Sequence, residues 1–124
     1  IIGILAGFVC YNATVFLKQR LKIDDSLDVF PVHGVGGALG TLLAAVFASA
    51  GLGVLSGQGL AEGMTIASQF QVQLIGVLAS GIYTAIVTFV LLKLIDRMLG
   101  LRVSQDEETE GLDLTQHNER GYDL

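Results

Sequence analysis

The sequence predicts an all-α membrane protein, three transmembrane helices followed by a cytoplasmic tail. Of its 124 residues 52% are hydrophobic and 15% charged, none is tryptophan, and the mean hydropathy is +0.63. That is too apolar for a soluble domain of this size. Three stretches, 1–17, 29–61 and 63–92, contain no Lys, Arg, Asp or Glu. Each has room for the ~20 residues with which a helix crosses ~30 Å of hydrocarbon. Charge is segregated: residues 104–124 hold seven acidic groups against Arg120, whereas the five acidic and six basic residues before them nearly cancel. The overall −5 therefore describes a tail, and neither a basic stripe nor aromatic interleaving points to nucleic acid.

The first helix is expected over about 1–20. IIGILAGFVC opens the chain without methionine, and the basic cluster Lys18, Arg20 and Lys22 follows the apolar run, the wrong order for a secretory signal peptide. The simplest expectation is a chain that starts inside a membrane span and is the C-terminal piece of something longer. Cys10, alone in that run, reads as a small buried apolar residue. The second helix is expected over about 25–50, with Asp24, Asp25 and Asp28 as capping carboxylates near its positive end. Segment 51–65, GLGVLSGQGLAEGMT, is glycine-rich with the single charge Glu62 and reads as a loop. The third helix is expected over about 66–99, closed by Lys93, Arg97 and Arg102. The positive-inside rule then puts the connection after the first helix and the tail in the cytoplasm, and the 51–65 loop outside. The tail has no apolar periodicity and reads as a solvated acidic end, disordered or loosely ordered.

Two GxxxG pairs, Gly3 with Gly7 and Gly36 with Gly40, offer close helix approach. Asn12, Thr14, Gln71, Gln73, Ser80 and Tyr83 are polar groups that must face protein or water. His33 is a different matter, being ionisable. If the second helix starts near Asp25, the imidazole lies eight residues in, a rise of ~12 Å that puts it near mid-membrane. Pro31 removes one backbone donor just before it, and Val29, His33, Gly37 and Gly40 share a face at helical spacing. Such a histidine could relay a proton, accept a hydrogen bond from a polar solute, or act as packing glue between helices. No His, Cys or carboxylate stands at i+3 or i+4 to complete a metal site. Ser56 lacks a nucleophile motif, so no catalytic residue, metal or cofactor is expected.

The residues DDSLDVFPVHGVGGALGTLLAAVFA, from Asp24 to Ala48, resemble the penultimate helix of the Amt/Mep/Rh ammonium transporter family. GLRVSQDEETEGLDLTQHNERGY, from Gly100 to Tyr122, is similar to the cytoplasmic end of the Amt/Mep branch, whose pattern is GLRV, an acidic spacer, GLD, then His-Gly-Glu-x-Ala-Tyr. The resemblance implies the C-terminal part of an eleven-helix inverted-repeat fold, with residues 1–103 as its last three helices and 104–124 as an acidic cytoplasmic regulatory tail. It implies a homotrimer in the cell membrane, C-terminus cytoplasmic, that is a transporter and not an enzyme. Ammonium or ammonia would cross an apolar pore containing two hydrogen-bonded histidines; His33 matches the second, and Val29 an apolar pore-lining position. Gly111, Asp113, His117, Glu119 and Tyr122 match the tail pattern. There the family contacts the pore domain and a neighbouring subunit, and in prokaryotic members a PII-type signalling protein blocks the pore mouth. Asn118 and Gly121 stand where that pattern has glycine and alanine, and asparagine tolerates the left-handed backbone. Thr115 reads either as a phosphorylation switch or as a local turn bond to the backbone. Two other readings of the chain are an ammonium sensor or receptor of the same fold, and a non-conducting packing fragment in which His33 is glue.

Overall fold

A segment in hydrocarbon must satisfy its own backbone, and the chain does so with helices. The computed structural model describes residues 1–121. α1 (Ile2–Val15) runs on into a wider π-helical turn, Phe16–Arg20; a second π-helical stretch, Phe30–Val35, leads into α2 (Gly36–Phe47). A 3-10 turn, Gly53–Leu55, lies in the following loop, α3 (Ile66–Leu99) is one helix of 34 residues, and α4 (Gln105–Glu110) and α5 (Leu112–His117) are short. Among the described residues there is no strand. Three helices, Ile2–Arg20, Phe30–Phe47 and Ile66–Leu99, are long and apolar enough to cross a membrane, so the all-α multi-pass class stands. The chain forms two compact units, residues 1–81 and residues from 82 onward.

The second helix begins at Phe30, not near 25, and ends at Phe47, not 50. Lys22 and Asp28 have φ of 54° and 55°, a hand that a right-handed helix cannot contain. Residues 21–29 instead fold as a tied connection. The amides of Leu21 and Ile23 donate to the carbonyls of Phe16 and Leu17, both at 3.1 Å, and the Asp28 amide to Asp25 at 3.2 Å. An ion pair of 2.8 Å joins Lys18 to Asp28 across it.

In the first unit α1 meets the second span at one tight point. A Cβ built on Gly36 would lie 2.9 Å from Cys10 Sγ, and Cys10 is half-buried there. Methyls at Gly3, Gly7 and Gly40 would meet nothing within 4 Å, so of the two GxxxG pairs only Gly36 is a contact among the described residues. Asn12 donates to the Phe8 carbonyl at 2.7 Å and so satisfies its amide inside its own helix. Gln73 Oε1 is shut off from solvent with no donor among the described residues. Pro31, Ala45 and Leu17 are buried. Large apolar side chains along α1 and α3 remain exposed, Phe8 at 71% and Phe89 at 64% among them, a surface that suits lipid or protein neighbours, not water. The loop after α2 folds back on it: the Gly59 amide donates to Ala48 at 2.8 Å and the Ser56 hydroxyl to Ala50 at 3.0 Å.

α3 starts at a reciprocal cap, the Ser68 amide donating to Thr65 Oγ1 at 3.1 Å and the Thr65 amide to Ser68 Oγ at 2.8 Å. In the second unit the tail is more ordered than its composition suggests. Ser104 Oγ accepts from the Glu107 amide at 3.3 Å while Glu107 accepts from the Ser104 amide at 2.8 Å, a capping box that starts α4. Arg102 forks onto Glu108 at 2.5 and 2.9 Å, and Gln116 donates to Glu107 at 3.1 Å, tying α5 to α4. The expectation of a loosely ordered tail looked for apolar periodicity; polar capping supplies the order instead.

Gly36→Ala is expected to destabilise the protein by about 1–3 kcal/mol through overpacking. Cys10→Ala in the same chain should recover most of that loss, measured by thermal unfolding in detergent. In the tail, the Ser104 amide, then its hydroxyl, hold the Glu107 carboxyl below its ordinary range, and Arg102 does the same to Glu108. Because both folded pKa values are lowered, their stabilisation is complete at neutral pH and is lost only as acid passes below the ordinary glutamate value of 4.5 and through the lowered ones. Hydrogen exchange across 105–117, corrected for intrinsic rate, should show protection that is flat around neutral pH and falls in acid. Ser104→Ala is expected to cost about 0.5–2 kcal/mol of that protection.

Candidate functional site

His33 is placed by a short chain of local constraints. The Asp25 carboxylate accepts the Val29 amide on Oδ1 at 2.9 Å and the Phe30 amide on Oδ2 at 2.8 Å. These two donors, Phe30 first, hold the Asp25 carboxyl below its usual range, with the Lys18 charge adding a smaller effect. Pro31 follows in the first turn, where a missing N–H costs nothing. The Val32 amide reaches back to Asp28 at 3.0 Å, and the Gly36 amide is shared between the carbonyls of His33 and Pro31. The bond to Pro31 reaches back five residues and widens the turn. His33 lies inside that widened stretch, and such π-helical turns occur frequently at functional sites.

The imidazole therefore sits three residues past Phe30, ~4.5 Å of helical rise, not the ~12 Å expected from a start at Asp25. The carboxylate is a cap, as expected, but one that reaches four and five residues forward across the turn at Asp28. Val29, His33 and Gly37 are all exposed, and methyls added at Gly37 or Gly40 would meet nothing within 4 Å. The ring of Phe30 lies against Gly34, 3.0 Å from where a Cβ would stand. Among the described residues no group of three His, Cys, Asp or Glu is gathered to hold a metal. The arrangement presents one imidazole, one exposed valine and a glycine-lined open surface at the start of a membrane-length helix.

Of the tail residues, Gly111 separates α4 from α5 with φ 107°, and Asn118 ends α5 in the left-handed region at φ 53°, ψ 35°. Asparagine thus occupies the conformation that a glycine would fill there. The amides of Asn118 and Glu119 return to the carbonyls of Leu114 and Asp113 at 3.1 and 3.0 Å. His117 closes α5 and is exposed; Tyr122 lies outside the described residues. The Thr115 hydroxyl donates to the Gly111 carbonyl at 3.0 Å, the local turn bond weighed for it. Three features escaped the sequence reading: the Lys18–Asp28 pair, the forward reach of Asp25, and the Ser104–Glu107 box. The last has a readable signature, Ser-Gln-Asp-Glu, with the serine three residues before the glutamate.

Comparison with known proteins bears on all of these residues at once. The model of the Ammonium Transporter Family matches residues 1–122. A protein of Methanothermobacter thermautotrophicus is 44% identical over 123 residues, 98% of this chain and 30% of its own length. An ammonium transporter of Bacillus subtilis is 38% identical over 98% of this chain and 30% of its own length, and one of Archaeoglobus fulgidus 39% over the same shares. The chain spans about 30% of the length of these curated relatives. Nearly every residue of the chain takes part in these matches, and on that ground it belongs to the ammonium transporter family.

Proposed function

We propose that this chain forms one wall of a pore through which ammonium crosses the membrane as ammonia, with His33 as one of a pair of pore histidines and Val29 as an apolar lining residue. The observation that supports the reading is the setting of His33. It is an imidazole in the widened first turn of a membrane-length helix, four residues after an exposed valine, in a chain of the ammonium transporter family. π-Helical turns recur at functional sites, and the tied connection before this one fixes it at the start of the span. The rest of the pore and the other histidine would come from segments outside this chain, which spans about 30% of the length of its relatives.

The chemistry follows from what a pore of this kind can carry. A cation stripped of water in an apolar channel pays several kcal/mol. Ammonium escapes most of that cost by giving up a proton, and the ammonia that remains can donate to an imidazole lone pair while the imidazole network holds or passes the proton. Potassium, similar in charge and size, has no proton to lose and is rejected. In this reading the protein is a transporter, not an enzyme, and needs no cofactor. Residues 1–103 belong to the transmembrane domain and 104–124 form a regulatory tail. The positions of Lys18, Arg20, Lys22, Lys93, Arg97 and Arg102 favour a cytoplasmic tail in the cell membrane. The assembly would be a homotrimer whose tail, with Gly111, Asp113, His117 and Glu119, contacts a neighbouring subunit or a PII-type signalling protein.

The test is uptake by the intact transporter in vesicles. His33→Ala is expected to slow ammonium uptake by about tenfold or more, the equivalent of ~1.4 kcal/mol, or to let potassium compete. Parental rate and selectivity in a correctly assembled variant would leave His33 as packing glue. Ammonium-dependent signalling without flux would instead favour a sensor.

A further inference from the structure

Asp25 lies upstream of the candidate pore face, yet it holds both amides that lead into the His33 turn. Each oxygen takes one donor, so the carboxylate defines the position and the direction of the first two helical peptides together. No other side chain among the described residues bonds the amides of Val29 and Phe30, and Pro31 has no amide to offer. The far side of the same connection is pinned separately. Lys18 at the end of the first span holds Asp28 at 2.8 Å, Asp28 keeps its left-handed φ of 55°, and its carbonyl receives the Val32 amide at 3.0 Å. The residues that lead into His33 are thus referenced to two aspartates three positions apart.

We propose that Asp25 is the positioning residue of the pore histidine: its two-pronged hold on the Val29 and Phe30 amides sets where the His33 imidazole stands relative to the permeating molecule. The inference rests on the transport reading of His33. An asparagine keeps one acceptor oxygen and replaces the other by a donor, so it can hold one amide of the pair; alanine holds neither. With neither held, only the Asp28 side still ties the turn, which can shift at Val29 and Phe30, and an ångström of displacement at a reacting group costs up to a hundredfold in rate.

The experiment measures two quantities in the intact transporter, ammonium uptake and the degree to which potassium competes with it. A merely structural loss reduces the amount of working protein and leaves the competition ratio untouched. A displaced imidazole changes the ratio. Asp25→Ala is expected to slow uptake by about tenfold to a hundredfold and to shift the ratio toward potassium, with Asp25→Asn between it and the parent. A parental ratio in Asp25→Ala, whatever its rate, overturns the proposal; where that variant does not assemble or is too slow to measure, the ratio in Asp25→Asn decides in the same way. His33→Ala is run beside them. If it alters rate or ratio while the Asp25 variants keep the parental ratio, only the positioning role falls. If it too is indistinguishable from the parent, the transport reading of the histidine falls with it.

Discussion

A backbone amide without a partner costs free energy, several kcal/mol in hydrocarbon, and three of the helix starts in this chain are organised around that cost. The start of the second span is covered by Asp25, the start of α3 by the reciprocal Thr65 and Ser68 pair, and the start of α4 by Ser104 and Glu107. The exits are handled by the backbone itself. The Leu21 amide returns to Phe16, the Gly100 amide to Asp96 at 3.1 Å, and Asn118 turns left-handed to do the same at the end of α5. Helices here stop only where the chain has a group ready to take over the hydrogen bonding.

That constraint also fixes the candidate site from both ends. Upstream, the His33 turn hangs from the Asp25 carboxylate. Downstream, the Gly36 amide serves the carbonyls of both His33 and Pro31, and the absence of a side chain on Gly36 lets Cys10 of α1 approach to 2.9 Å of the Cβ position. One residue thus closes the widened turn and sets the distance between the first two spans. Pro31, whose carbonyl takes part in that closure, is fully buried. The packing of α1 and the backbone of the histidine turn therefore share one residue, Gly36.

Much of this was legible in the sequence. Three uncharged stretches bounded by charge are enough to expect three membrane-length helices, because hydrocarbon tolerates little else. His33 stood out for the same reason, and Pro31 beside it marked a disturbed turn. What could not be read was the distance over which a carboxylate acts. Asp24, Asp25 and Asp28 all look like caps, and only the left-handed backbone at Lys22 and Asp28 shows that the helix waits until Phe30. Nothing in residue type predicts a positive φ at lysine. Of the glycine pairs only Gly36 meets a neighbour among the described residues, because a GxxxG spacing says that close approach is possible and not which helix supplies the contact. The tail misled for a different reason: its order comes from a serine, a glutamate, an arginine fork and one glutamine, none of which registers on a scale of hydrophobic periodicity.

The two kinds of order make different demands on sequence. In the membrane-length helices the informative positions are small ones, Gly36, Cys10 and Ala45, and what matters there is volume. In residues 102–119 they are polar ones, Arg102, Ser104, Glu107, Glu108 and Gln116, and what matters is charge and hydrogen-bond count. With α4 carrying Asp106, Glu107 and Glu108 in its first turn, the tail helices gain from the helix dipole yet remain exposed. Their order rests on hydrogen bonds between charged and polar side chains. A membrane part that responds to volume and a tail that responds to charge can vary separately in one chain. In the tail, order therefore follows charge, as the arginine fork and the capping box show.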